Sequence, residues 1–84
     1  MAAIIYTKLL CPYCEMAKKL LDEKNILYKE LIIGVEITTG EAIEELGITF
    51  STAPQIVLDG IYIGGYTELV THFKKKDQSN GEPK

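Results

Sequence analysis

The chain has 84 residues, 46% of them hydrophobic and 25% charged, with a net charge of −3 at pH 7. That length holds one domain with a small core, and the apolar share excludes a wholly disordered chain. Nine basic residues, all lysine, against twelve acidic ones leave no basic stripe and no guanidinium, which argues against nucleic-acid binding.

Residues 3–7, Ala-Ile-Ile-Tyr-Thr, are apolar and rich in β-branched side chains, as in a central strand covered on both faces. Residues 12–24 form a helix that starts on Pro12, a residue favoured at the first helical position. Met16, Ala17, Leu20 and Leu21 supply its apolar face, and Lys18, Lys19, Asp22 and Glu23 the opposite one. Residues 26–33 read as a second strand and 34–37 as a connection. Residues 38–46 form a second helix, opened by Thr38 and Glu41 at capping-box spacing, closed by Gly47, and turned inward through Ile43 and Leu46. Residues 55–58 and 61–63 are two strands joined by Asp59-Gly60, a strong hairpin signal. Residues 67 to about 75 form the last helix, with Thr67 at its N-cap and Leu69, Val70 and Phe73 facing the core. His72 is expected on its surface. Lys74, Lys75 and Lys76 form its solvated end, where the dipole favours cations. Residues 1–76 make the domain, and 77–84, with Gly81 and Pro83, a flexible polar tail.

The order β-α-β-α-β-β-α predicts an α/β fold. A right-handed first crossover gives a parallel pair and the hairpin an antiparallel one. The result is a four-stranded mixed sheet with helices on both faces. No stretch approaches the ~18 apolar residues of a membrane span. The apolar start is interrupted by Lys8 and lacks the form of a signal peptide, so a cytoplasmic protein is expected.

Both cysteines lie in Cys11-Pro12-Tyr13-Cys14, where the first strand runs into the first helix. A secreted disulfide scaffold of this size would spread four or more cysteines along the chain. A sulfur at a helix N-terminus faces unpaired N–H groups and the positive end of the dipole, so the Cys11 thiol is expected below the free value of about 8.5. Lys8 adds a positive charge nearby. Cys14, one turn into the helix, lies close enough to attack a mixed disulfide on Cys11. Zinc is the rival reading, but it takes four ligands, and two cysteines plus His72 fall short unless two chains share a site.

Three motifs together resemble the glutaredoxin family over about three quarters of the chain. They are Lys8-Leu9-Leu10-Cys11-Pro12-Tyr13-Cys14, Thr52-Ala53-Pro54 and Gly64-Gly65-Tyr66-Thr67-Glu68. The resemblance implies a thioredoxin-like fold and a glutathione-dependent thiol–disulfide oxidoreductase with Cys11 as nucleophile and Cys14 as resolving thiol. It implies a cis Ala53–Pro54 bond facing the cysteines, with the Ala53 N–H and C=O free to pair with an extended substrate. Thr67 and Glu68 would hold the γ-glutamyl end of glutathione, with Thr52 and Gly65 lining its site. Lys8 and Tyr13 would meet a carboxylate, and Tyr66 the rim. The family more often has valine at position 53, aspartate at 68 and a basic residue at 51, where this chain has Ala53, Glu68 and Ser51.

Glutathione would act as a co-substrate, with no metal and no permanently bound cofactor. The C-P-Y-C sequence argues against an iron–sulfur bridging role. Clients would be disulfide-containing proteins, ribonucleotide reductase among them, and the protein would be a monomer. Potentials of such proteins lie near about −200 to −230 mV, within reach of the glutathione pool. The alternatives are a donor reduced by thioredoxin reductase, a non-catalytic redox-sensing binding module and a zinc-bridged dimer.

Overall fold

The computed structural model describes residues 1–79 and has the expected element order: β1 (Ala2–Thr7), α1 (Pro12–Glu23), β2 (Leu27–Ile32), α2 (Thr39–Leu46), β3 (Gln55–Leu58), β4 (Ile61–Gly64) and α3 (Tyr66–Ser79). The strands form one sheet in the order β2-β1-β3-β4. β1 runs parallel to β2 and antiparallel to β3, and β3 pairs antiparallel with β4.

Alternation along β1 divides the core in two, because successive side chains leave a strand on opposite faces. Ala3 and Ile5 pack with Ala17 and Leu21 of α1, Ile56 and Leu58 of β3, and Leu69 and Phe73 of α3. Tyr6, with Ile4 beside it, packs on the other face with Ile33, Ile37 and Ala42 of the α2 side. β1 is therefore buried from both sides, as its unbroken apolar run predicts. The Asp59-Gly60 turn has positive φ at both residues, +51° and +82°, the signature of a two-residue hairpin whose twist matches the strands.

Local signals set the ends of α2. The Thr38 hydroxyl accepts from the Glu41 N–H at 3.0 Å, and the Glu41 carboxylate accepts from the Thr38 N–H at 2.9 Å. Gly47, at φ +76°, closes the helix in the left-handed conformation.

The structure corrects three expectations. Met16 is 43% exposed; the inward face of α1 runs through Cys14, Ala17 and Leu21 at i, i+3 and i+7, which leaves Met16 at its border. Thr67 is not the N-cap of α3, because the helix begins at Tyr66 and the Leu69 N–H bonds to the Gly65 carbonyl at 3.0 Å. Gly65 takes the cap position and Glu68 serves its N–H. Finally, α3 continues to Ser79, so 77–79 extend the helix where a tail was expected; the rest of that expected tail, 80–84, lies outside the described residues.

Candidate active site

Cys11 and Cys14 are joined by a disulfide with a Cα–Cα distance of 5.2 Å. Cys11 is the N-cap of α1, with extended backbone (φ −122°, ψ 100°). Its sulfur accepts from the Cys14 N–H at 3.1 Å, and its carbonyl accepts from the N–H groups of Cys14 and Glu15 at 3.1 and 3.2 Å. The sulfur thus does the work that a Ser or Thr hydroxyl does at an ordinary cap. Cys14 is buried and Cys11 half-buried, so the two sulfurs differ in access. Leu10, immediately before Cys11, is fully exposed at φ +54°, a region a leucine rarely adopts.

The second segment arrives from the far side of the sheet. The Ala53–Pro54 bond is cis. The Ala53 carbonyl oxygen lies 3.8 Å from the Cys11 sulfur, which carries no proton in the disulfide, so this contact reports placement rather than a hydrogen bond. The third segment is the start of α3. Glu68 reaches back to accept from the Gly65 N–H at 2.9 Å. That fold-back needs Gly64: a Cβ there, at φ +117°, would lie 2.8 Å from the Glu68 Cγ, whereas one on Gly65 would lie 3.2 Å from the Pro54 carbonyl oxygen and crowd the approach of the Pro54 turn.

Tyr13, Thr52, Ala53, Pro54, Gly65, Tyr66, Thr67 and Glu68 line one open groove beside the cysteines. The rings of Tyr13 and Tyr66 meet there with centroids 5.8 Å apart. The first-turn N–H groups of α3 have no acceptor within their own helix, which makes this end of the groove receptive to an anion. Lys8 does not line the groove; its ammonium reaches the Ser51 carbonyl oxygen at 3.5 Å. Among the described residues, no three His, Cys, Asp or Glu side chains cluster in a way that could hold a metal ion. His72 is half-buried and packs edge-on against Phe73, at 5.4 Å between ring centroids.

Two polar networks outside the groove lining escaped sequence reasoning. Gln55, only 5% exposed, donates through Nε2 to the Thr52 carbonyl at 2.9 Å and lies 3.4 Å from its hydroxyl, while its Oε1 accepts from the Tyr62 hydroxyl. A polar residue opening the otherwise apolar Gln-Ile-Val-Leu strand is the signal that could have found it. Burial raises the Tyr62 phenol, and the Glu68 charge raises it further. Beneath α1, the Glu30 carboxylate accepts from the Thr7 hydroxyl at 2.8 Å and from the Lys18 ammonium at 3.0 Å, and Lys18 also pairs with Glu15 at 3.0 Å. Burial pushes the Glu30 carboxyl up, but the Thr7 and Lys18 bonds outweigh it and hold it below the usual range. Lys18 is raised, chiefly by its bond to Glu15.

A family model described as Glutaredoxin matches residues 3–63. Glutaredoxin 1 of Rickettsia prowazekii is 44% identical over 69 residues, a match covering 79% of this chain and 70% of that protein. For the corresponding proteins of Rickettsia felis and Rickettsia typhi the chain spans about two thirds of their length, 66% and 64%. Glutaredoxin 3 of Escherichia coli is 46% identical over 66 residues, covering 77% of each chain. The solved structure of reduced Escherichia coli glutaredoxin superposes with a TM-score of 0.72 at 32% identity, over 93% of this chain and 99% of that one.

Proposed function

This chain belongs to the glutaredoxin family of thiol–disulfide oxidoreductases, with the thioredoxin-like fold of its structural neighbours, and we propose that it reduces glutathionyl mixed disulfides and protein disulfides with electrons from glutathione. The observation that carries this reading is the convergence of three segments distant in sequence. The Thr52-Ala53-Pro54 turn and the start of α3 line one groove with Tyr13, and the Cys11–Cys14 pair stands beside it, with the Ala53 carbonyl against the Cys11 sulfur.

With the pair reduced, the Cys11 thiolate attacks the glutathionyl sulfur of a mixed disulfide. A bond forms between Cys11 and glutathione, and the client leaves as a thiolate. A second glutathione thiolate then attacks the glutathionyl sulfur on Cys11, releasing oxidised glutathione and restoring the Cys11 thiolate. With a protein disulfide, Cys11 forms a mixed disulfide with the client and Cys14 attacks it, releasing the client dithiol and closing the Cys11–Cys14 disulfide. Two glutathione molecules reopen that disulfide. The Cys14 N–H, aimed at the Cys11 sulfur, stabilises thiolate over thiol.

Glutathione serves as a co-substrate. The exposed first turn of α3 suits its γ-glutamyl carboxylate, and the free edge at Ala53 suits its cysteinyl backbone. Thr67 and Glu68 are the side chains assigned to the γ-glutamyl end, Tyr13 and Tyr66 to the rim, and Lys8, off the groove, to an outlying carboxylate. The deciding experiment is steady-state reduction of the cysteine–glutathione mixed disulfide, with electrons from glutathione and glutathione reductase or from NADPH and thioredoxin reductase. Turnover with the first system is the expected result. Turnover only with the second would remove glutathione from the reading while leaving the cysteine chemistry standing.

A further inference from the structure

We infer that Gln55 and Tyr62 are positioning residues that aim the Ala53 N–H into the glutathione groove, by holding the preceding Thr52 carbonyl on the opposite side. The inference rests on the glutathione reading above and names residues that reading does not use.

A primary amide taken out of water costs free energy unless its groups find partners. Gln55 is almost fully buried at the first position of β3, and both ends of its amide are engaged. Its Nε2 donates to the Thr52 carbonyl at 2.9 Å, and its Oε1 accepts from the Tyr62 hydroxyl on β4. The Thr52 carbonyl settles which way the amide faces: it can only accept, so the NH₂ group is turned toward Thr52 and Oε1 is left to accept from the Tyr62 hydroxyl.

The consequence follows from peptide geometry. The Thr52–Ala53 bond is trans, the cis bond being the next one along. In a trans peptide the C=O and the following N–H point in opposite directions within one plane. Fixing the Thr52 carbonyl toward Gln55 therefore turns the Ala53 N–H away from Gln55. That N–H has no backbone or side-chain acceptor among the described residues, and Ala53 and Thr52 both line the groove. A donor held in place before the ligand arrives loses no freedom on binding, which is how a group outside the contact surface raises affinity.

The test uses three variants of the full chain with the cysteine–glutathione mixed disulfide. Tyr62→Phe removes one hydroxyl and leaves the ring. Gln55→Met keeps the length of the side chain and removes the donor to Thr52. The expected result is a rise in KM of about five- to tenfold for Gln55→Met and a smaller rise for Tyr62→Phe, with kcat within about twofold, as for loss of one hydrogen bond of ordinary worth. The double variant Gln55→Met/Tyr62→Phe should be no worse than Gln55→Met, because Tyr62 acts through Gln55. An unchanged KM in folded Tyr62→Phe and Gln55→Met overturns the inference, as does a fall in kcat at constant KM. Additive KM effects in the double variant overturn the relay through Gln55. If Gln55→Met does not fold, an unchanged KM in Tyr62→Phe is sufficient to reject it. Wild-type protein that fails to turn over the glutathionyl substrate removes the glutathione reading and this inference together, whereas unaltered variants beside an active wild type remove this inference alone.

Discussion

The N-termini of α1 and α2 solve one problem in two ways. Both helices begin with N–H groups that have no intrahelical partner. At α2 a reciprocal capping box closes the end: the Thr38 hydroxyl takes the Glu41 N–H and the Glu41 carboxylate takes the Thr38 N–H. At α1 the cap is the Cys11 sulfur, which takes the Cys14 N–H and stands half-open to solvent behind an exposed Leu10. The first arrangement spends the donors on stability. The second points one of them, the Cys14 N–H, at the sulfur proposed to exchange its bonding partner during reaction. The start of α3 lies between the two, since Glu68 serves the Gly65 N–H while the donors of the following turn face an open groove.

The difference can be broken most completely at Cys11. Cys11→Ser retains a capping oxygen and removes the nucleophile, so turnover with every disulfide should fall to background in the coupled assay while the fold persists by circular dichroism. Cys14→Ser is expected to divide the activities. Reduction of the glutathionyl mixed disulfide survives, and reduction of an intramolecular protein disulfide is lost; equal loss of both would contradict the resolving role.

Gly64→Ala probes the intermediate case. The new methyl group meets the Glu68 Cγ at a backbone φ that alanine resists, so destabilisation of about 1–3 kcal/mol is expected in urea titration, together with a raised KM for the glutathionyl substrate. A stability loss with KM unchanged would make Glu68 a cap and nothing more.

Glu30→Gln sharpens the comparison from below, because the Thr7–Glu30–Lys18 cluster ties α1 to β1 and β2. A cost of about 1–2 kcal/mol is expected near pH 7. Burial works against the Glu30 carboxylate, but the Thr7 and Lys18 bonds prevail and lower its pKa from the ordinary 4.5. A lowered folded-state pKa means that the unfolded chain binds the proton more readily. The contribution is therefore full above pH 4.5 and lost as pH falls through the lower folded value. The stability gap between wild type and Glu30→Gln should accordingly narrow on acidification. Thr38→Ala has the smallest expected effect, about 1 kcal/mol in thermal or urea unfolding, with the KM for the glutathionyl substrate unmoved.

Features carried by neighbouring residues were legible without a structure. Asp59-Gly60 marks its hairpin because the turn requires positive φ at both positions. Thr38 and Glu41 mark a helix start because the two bonds of a capping box span three residues. Cys11 and Cys14 stand three residues apart on one helical turn, so their pairing too was local. Errors arose where local signals competed. Thr67 is a good capping residue, yet Glu68 folding over two glycines moved the cap to Gly65. Met16 is apolar, yet the direction of the α1 stripe was set by Cys14, Ala17 and Leu21 against the sheet.

The amino-acid order by itself determined the succession of elements, the hairpin, the α2 cap and the placement of a cysteine pair at the head of a helix. Each rests on backbone geometry acting over one turn or less. The family resemblance, not any local signal, anticipated Ala53 facing the cysteines; only the tertiary structure brings it to the Cys11 sulfur across 42 residues of chain, and only it joins Tyr62, seven residues from Gln55, to the amide that holds Thr52. Those contacts depend on β3 lying between β1 and β4, with α1 and α3 on the opposite face of the sheet from α2. No local propensity encodes such a meeting, because its free energy comes from burying both faces of one sheet at once.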